Sequence, residues 1–122
     1  MATQETALKQ RTRKFALNVV LFLRSGAYSE DWRSLRQQLI RSATSVGANY
    51  RAACRSRSRA EFIARIGVTL EEADESAFWL ELLIDIGATH SHLAHDLLRE
   101  ANELCAILAA SSLTAKANAE RR

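Results

Sequence analysis

Arg55-Ser56-Arg57-Ser58-Arg59 places three positive charges in five residues, the strongest chemical feature of the chain. Arg51, Arg55 and Arg59 follow i, i+4 spacing, Arg57 lies beside them, and Arg65 follows one or two helical turns on. Lys9, Arg11, Arg13 and Lys14 add a second basic run near the N-terminus. Guanidinium forks match phosphate oxygens in pairs, and contacts to a nucleic-acid backbone need no particular base sequence. The nine cations are therefore the candidate nucleic-acid-binding residues. With eight aromatics in the chain and at most Tyr50 near the basic corner, base stacking of the single-strand-binding kind is not expected. The competing reading of the corner is a solvated, salt-bridged turn or a surface for pairing between subunits.

Other chemistries find less support. His92 and His95 stand three apart, with His90 just before them, but Ser91 or Thr89 already accounts for a helix start there and no cysteine is close in sequence. No Glu is followed by His three residues later, as di-iron carboxylate bundles require. Glu71, Glu72, Asp74 and Glu75 read as a solvated face or ion-pair row, because acid catalysis needs a carboxyl in a shaped, partly dry cleft. Gly26, Gly47, Gly67 and Gly87 are too widely separated for a phosphate-binding loop, and Ser56 and Ser58, without a neighbouring His, read as turn and cap. Cys54 and Cys105 fall inside helical patterns and read as buried thiols of a reducing compartment. No catalytic residue, metal site or cofactor is expected.

The elements that must position the basic residues are helices. Four Gly, no Pro and abundant Ala and Leu disfavour sheets with tight turns. A first helix is predicted from about Thr3 to Arg24, with Leu8, Thr12, Phe15, Val19 and Phe22 on its buried line, Leu17 and Leu21 on a second face, and Gly26 as a left-handed C′ residue. A second runs from about Glu30 to Cys54, with Ser29 as N-cap and the seam Leu35, Leu39, Ala43, Val46, Tyr50 and Ala53. Asn49, among small and apolar neighbours, is expected to hydrogen-bond across the hairpin. Ser58 followed by Glu61 forms a capping box, the carboxylate reaching back to the cap amide, and opens a third helix from Arg59 to Ile86 with Gly87 at C′. Its seam is Phe62, Ile66, Thr69, Ala73, Ser76, Leu80 and Leu83. A turn centred near Ser56 sets Tyr50 opposite Phe62 and Val46 opposite Ile66, and brings Arg41 near Glu71 or Glu72. A fourth helix begins near Ser91, with Leu93, Leu97, Ala101, Leu104 and Leu108 inward. It frays beyond Leu113, so residues 1–113 form the bundle and 114–122 a disordered tail.

The whole is an all-α, antiparallel up-down-up-down four-helix bundle, a single domain large enough to need neither disulfides nor metal. Leu17 and Leu21, with Phe78, Trp79, Leu82 and Ile86, leave more apolar faces than a monomer of 122 residues requires, which points to a homo-oligomer. Residues 1–61 hold 12 Lys/Arg against 4 Asp/Glu, and residues 62–122 hold 5 against 10. A basic half can meet nucleic acid, or the acidic half of another copy. The basic run before Phe15 to Leu23 resembles a signal peptide, but Asn18 interrupts the apolar run, which is also too short to span a bilayer. A cytoplasmic location without membrane association is expected.

Gln38 to Tyr50, with its Thr44-Ser45-Val46-Gly47-Ala48-Asn49 core, then Arg57 to Phe62, Glu71 to Glu75 and Trp79 to Leu83, resembles the bacterial 23S rRNA intervening-sequence protein family. The resemblance covers nearly the whole chain. It implies ring-shaped homopentamers of four-helix bundles, and relatives that accompany diversity-generating reverse transcriptases turn a basic surface toward nucleic acid and polymerase. It supplies no catalytic residues. Gly47 stands where many members have Pro and Ala52 where an acidic residue is common, which implies a straighter second helix and a more basic corner. The function expected is a non-enzymatic, homo-oligomeric protein that binds RNA or DNA or assists a reverse transcriptase or other nucleic-acid enzyme. The alternative is a self-assembling scaffold with no nucleic-acid role.

Overall fold

The structure, a computed structural model, describes residues 3–26 and 30–121. It has four helices: α1 (Gln4–Ser25), α2 (Arg33–Ala53), α3 (Arg59–Asp85) and α4 (His92–Glu120). A 3-10 turn, Glu30–Trp32, leads into α2. There are no strands among the described residues. Helices adjacent in sequence pack side by side and α1 closes the bundle against α4, while the diagonal pairs stay apart. The α1–α4 seam is the least extensive of the four.

The core follows from helical spacing. Leu8, Phe15, Val19 and Phe22 of α1 are buried with Thr12 between them, and Leu39, Ala43, Val46, Tyr50 and Ala53 make the inner line of α2. On α3 the line is Ile66, Thr69, Ala73, Ser76, Ala77, Leu80 and Leu83. α4 contributes Ala94, Leu97, Ala101, Leu104 and Leu108. Leu93 is 55% exposed, so the inward line of α4 begins at Ala94 instead. Leu97, Ala101, Leu104 and Leu108 fix the face of that helix, and the 3.6-residue period then carries Ala94 onto it.

Small polar residues in this core are satisfied locally. Thr12 donates to the carbonyl of Lys9 and Thr69 to that of Arg65. Ser76 Oγ lies 3.0 Å from Ser42 Oγ and 2.9 Å from the Glu72 carbonyl oxygen. That contact also reports the pairing of α2 with α3. Ser42 meets Ser76 rather than position 70, where a register centred on Ser56 would put it. The non-helical corner of residues 54–58 carries the start of α3 beyond the end of α2. Arg41 reaches Glu72 at 3.3 Å, as expected, and also Glu75, one turn further on, which accepts from Trp79 Nε1 as well.

The helix ends correct several expectations. Ser58 accepts from the Glu61 amide as predicted, but the Glu61 carboxylate accepts from the amide of Arg57, one residue before the cap. Gly87 is left-handed, φ +76°, at the end of α3. Gly26 is extended, φ −97°, so the chain leaves α1 without a left-handed turn. The N-cap expected at Ser29 lies outside the described residues. Asn49 Nδ2 donates to the carbonyl of Ser45 in its own helix, not across the hairpin, because the i−4 carbonyl is within reach of a short amide side chain. α4 continues to Glu120, so residues 114–120, expected as a tail, are helical, with an alanine-rich sequence of high helix propensity.

Candidate nucleic-acid interface

Helix geometry sorts the nine candidate cations into three groups. On α1, Lys9 and Arg13 are four residues apart and share one face; Arg11 and Lys14, three apart, share another. Lys9 and Arg13 line a groove between α1 and α2 together with Arg51 and Arg55. Gly47 and Ala48 form part of that groove. The two backbones run close here, for a Cβ on Gly47 would lie 3.4 Å from the carbonyl oxygen of Thr12. Around the edge of α2 a second, shallower groove against α3 is lined by Arg51, Arg55, Arg57, Arg65 and Glu61. Arg51 and Arg55 belong to both grooves, so Lys9, Arg13, Arg51, Arg55, Arg57 and Arg65 form one continuous basic face.

Acidic groups barely offset it. Glu61 is the only carboxylate lining either groove. Its oxygens face Arg65 Nε at 3.6 Å and the Arg57 amide at 3.3 Å. The side chains of Lys9, Arg13, Arg51, Arg55 and Arg57 are exposed, with no carboxylate partner among the described residues. Unpaired cations concentrated on α1, the end of α2 and the corner that follows it produce a local positive potential even in a chain whose net charge is only +3.

Three of the nine candidates lie elsewhere. Arg11 faces α4, where its Nε and Nη2 donate to Glu100 at 2.8 and 2.7 Å and Nη2 also approaches Glu103. The Glu100 hydrogen bond is the main reason its guanidinium is held above its ordinary pKa. Lys14 lines the cleft between α1 and α4 beside Arg11, Leu21 and Leu93. Arg59 faces the end of the bundle, where it lines a cavity with Arg57, Tyr50 and Phe62. Phe62 thus joins Tyr50 as a second aromatic near the corner. The other residues of this cavity, including Ile107, Ser111, Thr114 and Asn118, come from the end of α4. Their i, i+4, i+7, i+11 spacing is a helical stripe, the signal that a reading of this segment as a tail passes over.

Among the described residues no three His, Cys, Asp or Glu side chains converge as metal ligands. His90, His92 and His95 are exposed beside the Ser91 cap of α4. Glu72 and Glu75 serve Arg41, whose hydrogen bond holds the Glu75 carboxyl below its usual range. Burial pushes the thiols of Cys54 and Cys105 up, and both cysteines are free. No helix of the described residues is long and apolar enough to cross a membrane.

Comparison with known proteins identifies relatives of the bundle as a whole. The model of the 23S rRNA-intervening sequence protein family matches residues 4–110, which takes in α1, α2, α3 and α4 as far as Ala110. The chain belongs to that family. Among solved structures, one similar to it is a protein of unknown function from the S23 ribosomal protein family of Bacteroides thetaiotaomicron. The two superpose with a TM-score of 0.80 at 28% identity, over 90% of this chain and 98% of the other. A search of curated proteins gives no match.

Proposed function

We propose that this family member is a non-enzymatic, homo-oligomeric protein that binds the phosphate backbone of RNA or DNA, or presents it to a partner enzyme such as a reverse transcriptase. Lys9, Arg13, Arg51, Arg55, Arg57 and Arg65 are its contacts. The observation that carries this reading is the exposure of five of them without a carboxylate partner, on a face that two adjoining grooves make continuous. Arg11 and Arg41, by contrast, are neutralised by Glu100, Glu103, Glu72 and Glu75 of the acidic half. Those two cations, of the twelve in residues 1–61, are closed inside one subunit, while the basic corner stays open to a partner.

Fluorescence anisotropy of labelled RNA and DNA, single-stranded and duplex, tests the reading at several salt concentrations. Binding should weaken steeply with salt, and each arginine of the face changed to Ala should lower the log–log salt slope by about 1. Arg13→Ala, Arg51→Ala and Arg55→Ala combined should remove most of the affinity. No binding even at low salt overturns the proposal.

A scaffold role is the second reading, and one observation favours it. Leu17, Leu21 and Leu93 are exposed around the α1–α4 cleft, and Val68, Phe78 and Ile86 are exposed on α3. Covering such faces is the work of self-assembly. Light scattering gives the subunit count, for which the resemblance suggests five. An oligomer that loosens with salt while nucleic acid fails to bind would favour the scaffold.

A further inference from the structure

At the end of the bundle where α2 passes into α3, an open cavity of about 740 Å³ lies among the starts of α1 and α3 and the last turns of α4. Its size falls in the range of about 300–1,000 Å³ usual for small-molecule sites. Leu8, Phe62 and Ile107 give it an apolar floor, Arg57 and Arg59 stand on one side, and Asn118 supplies an amide on the other. The lining therefore suits a ligand that is flat and apolar at one end and anionic at the other.

We propose that this cavity takes a single nucleotide unit, its base on the Leu8–Phe62–Ile107 floor and its phosphate at Arg57 and Arg59. The unit is the unpaired end of a strand whose backbone lies on the basic face, a part of the proposal that rests on the nucleic-acid reading above. Four observations converge on it. Arg57 lines both the cavity and the α2–α3 groove, so one phosphate track leads from the face into the cavity. The only carboxylate on the lining, Glu5, lies against the Cys54 thiol, which it helps to keep protonated. The hydroxyl of Ser56, on the cavity wall, is shut from solvent and has no hydrogen-bond partner among the described residues. The Ser58 cap satisfies the Glu61 amide but leaves those of Arg59 and Ala60 without an intrahelical acceptor, which adds donors on the phosphate side.

Calorimetry with adenosine 5′-monophosphate, adenosine and hexyl phosphate tests the cavity. Anisotropy with a blunt RNA duplex, and with the same duplex carrying a one-nucleotide 5′-phosphorylated overhang, tests the strand end. The monophosphate should bind at least tenfold more tightly than either fragment, and the overhang should raise affinity over the blunt duplex. Ala110→Trp fills the cavity from an exposed position without changing charge. It should abolish both effects and leave blunt-duplex binding unchanged. Arg59→Gln, a milder second variant, should weaken monophosphate binding with the same specificity for the phosphate. Equal binding of hexyl phosphate overturns the nucleotide assignment. A duplex that binds normally with no gain from the overhang, and no monophosphate binding, overturns the cavity proposal while the basic face stands. Monophosphate binding without any duplex binding keeps the nucleotide site, assigns it to free nucleotide and overturns the strand-end part.

Discussion

Gly47 marks where α1 and α2 come closest, yet a methyl group there would meet the Thr12 carbonyl oxygen at 3.4 Å and the Arg13 Cα at 3.5 Å, which is ordinary contact. Gly47→Ala should therefore stabilise the protein by about 0.5–1 kcal/mol, read as a higher urea midpoint, because alanine costs less backbone entropy in a helix. Gly47→Leu should destabilise it by forcing the helices apart, at about 1–3 kcal/mol. A loss of stability in the alanine variant would mean that the approach is tighter than its geometry indicates. Arg11 and Arg13 offer a sharper comparison, two cations two residues apart with different tasks. Arg11→Ala breaks a half-exposed pair with Glu100, so its cost to stability should stay under about 1 kcal/mol and nucleic-acid affinity should hold. Arg13→Ala should leave the melting temperature unchanged and weaken binding. Equal effects of the two on binding would remove the distinction drawn between the faces of α1. Adjacent basic residues look equivalent in a linear chain; 100° of rotation per residue sends Lys9 and Arg13 to α2, and Arg11 and Lys14 to α4.

At the scale of the helix, Ser58 is the single-residue device that starts α3. Its hydroxyl holds the Glu61 amide, and Ser58→Ala should cost about 1 kcal/mol in chemical denaturation with no change in the helical content of the folded state. An unchanged midpoint would show that the Arg57–Glu61 contact alone suffices. This start was legible in the chain because a capping box is local chemistry. So was the stop at Gly87, where positive φ favours glycine. Gly26 had the same credentials and is extended, since a glycine permits the left-handed turn without requiring it. Leu93 misled for another reason. Leu93 and Ala94 both stand at helical spacing from the inner line of α4, three or four residues before Leu97, and the buried place goes to Ala94, which leaves the leucine at the edge of that face. The Ser42–Ser76 pairing was hidden because register depends on the path of the corner, which no residue pattern states. For the candidate interface, the residue types were legible but their grouping was not. The stripe from Ile107 to Asn118 carries no apolar signal beyond its first residue, because Ser111, Thr114 and Asn118 are polar.

For the molecule as a whole, three buried or partly buried acids with raised pKa set an alkaline limit. Desolvation pushes up the thiols of Cys54 and Cys105 and the phenol of Tyr50. The unfolded chain releases these protons first, near pH 8.5 for a thiol and pH 10 for a phenol, so the stability they contribute is fully present below that range. It is lost as pH rises toward the folded values. Urea midpoints should thus fall between about pH 8.5 and 11, and Cys54→Ala with Cys105→Ala should flatten the first part of that decline. A midpoint independent of pH there would contradict the burial of both thiols. In acid the sign reverses for Glu75, whose lowered pKa under Arg41 contributes stability that disappears as the carboxyl protonates.

Gln4 at the start of α1 and Asn118 near the end of α4 line the same cavity. The start of α1 and the end of α4 therefore lie on one side of the bundle, next to the basic corner. A short glycine linker could join them, and new termini could be opened in the α3–α4 connection at the far end, giving a circular permutant with the same four-helix packing. An affinity tag or fused domain placed at either end would crowd the corner and mask it, whereas the permutant would carry its tag away from it. Binding experiments on this protein are best begun with the tag removed or the chain reordered.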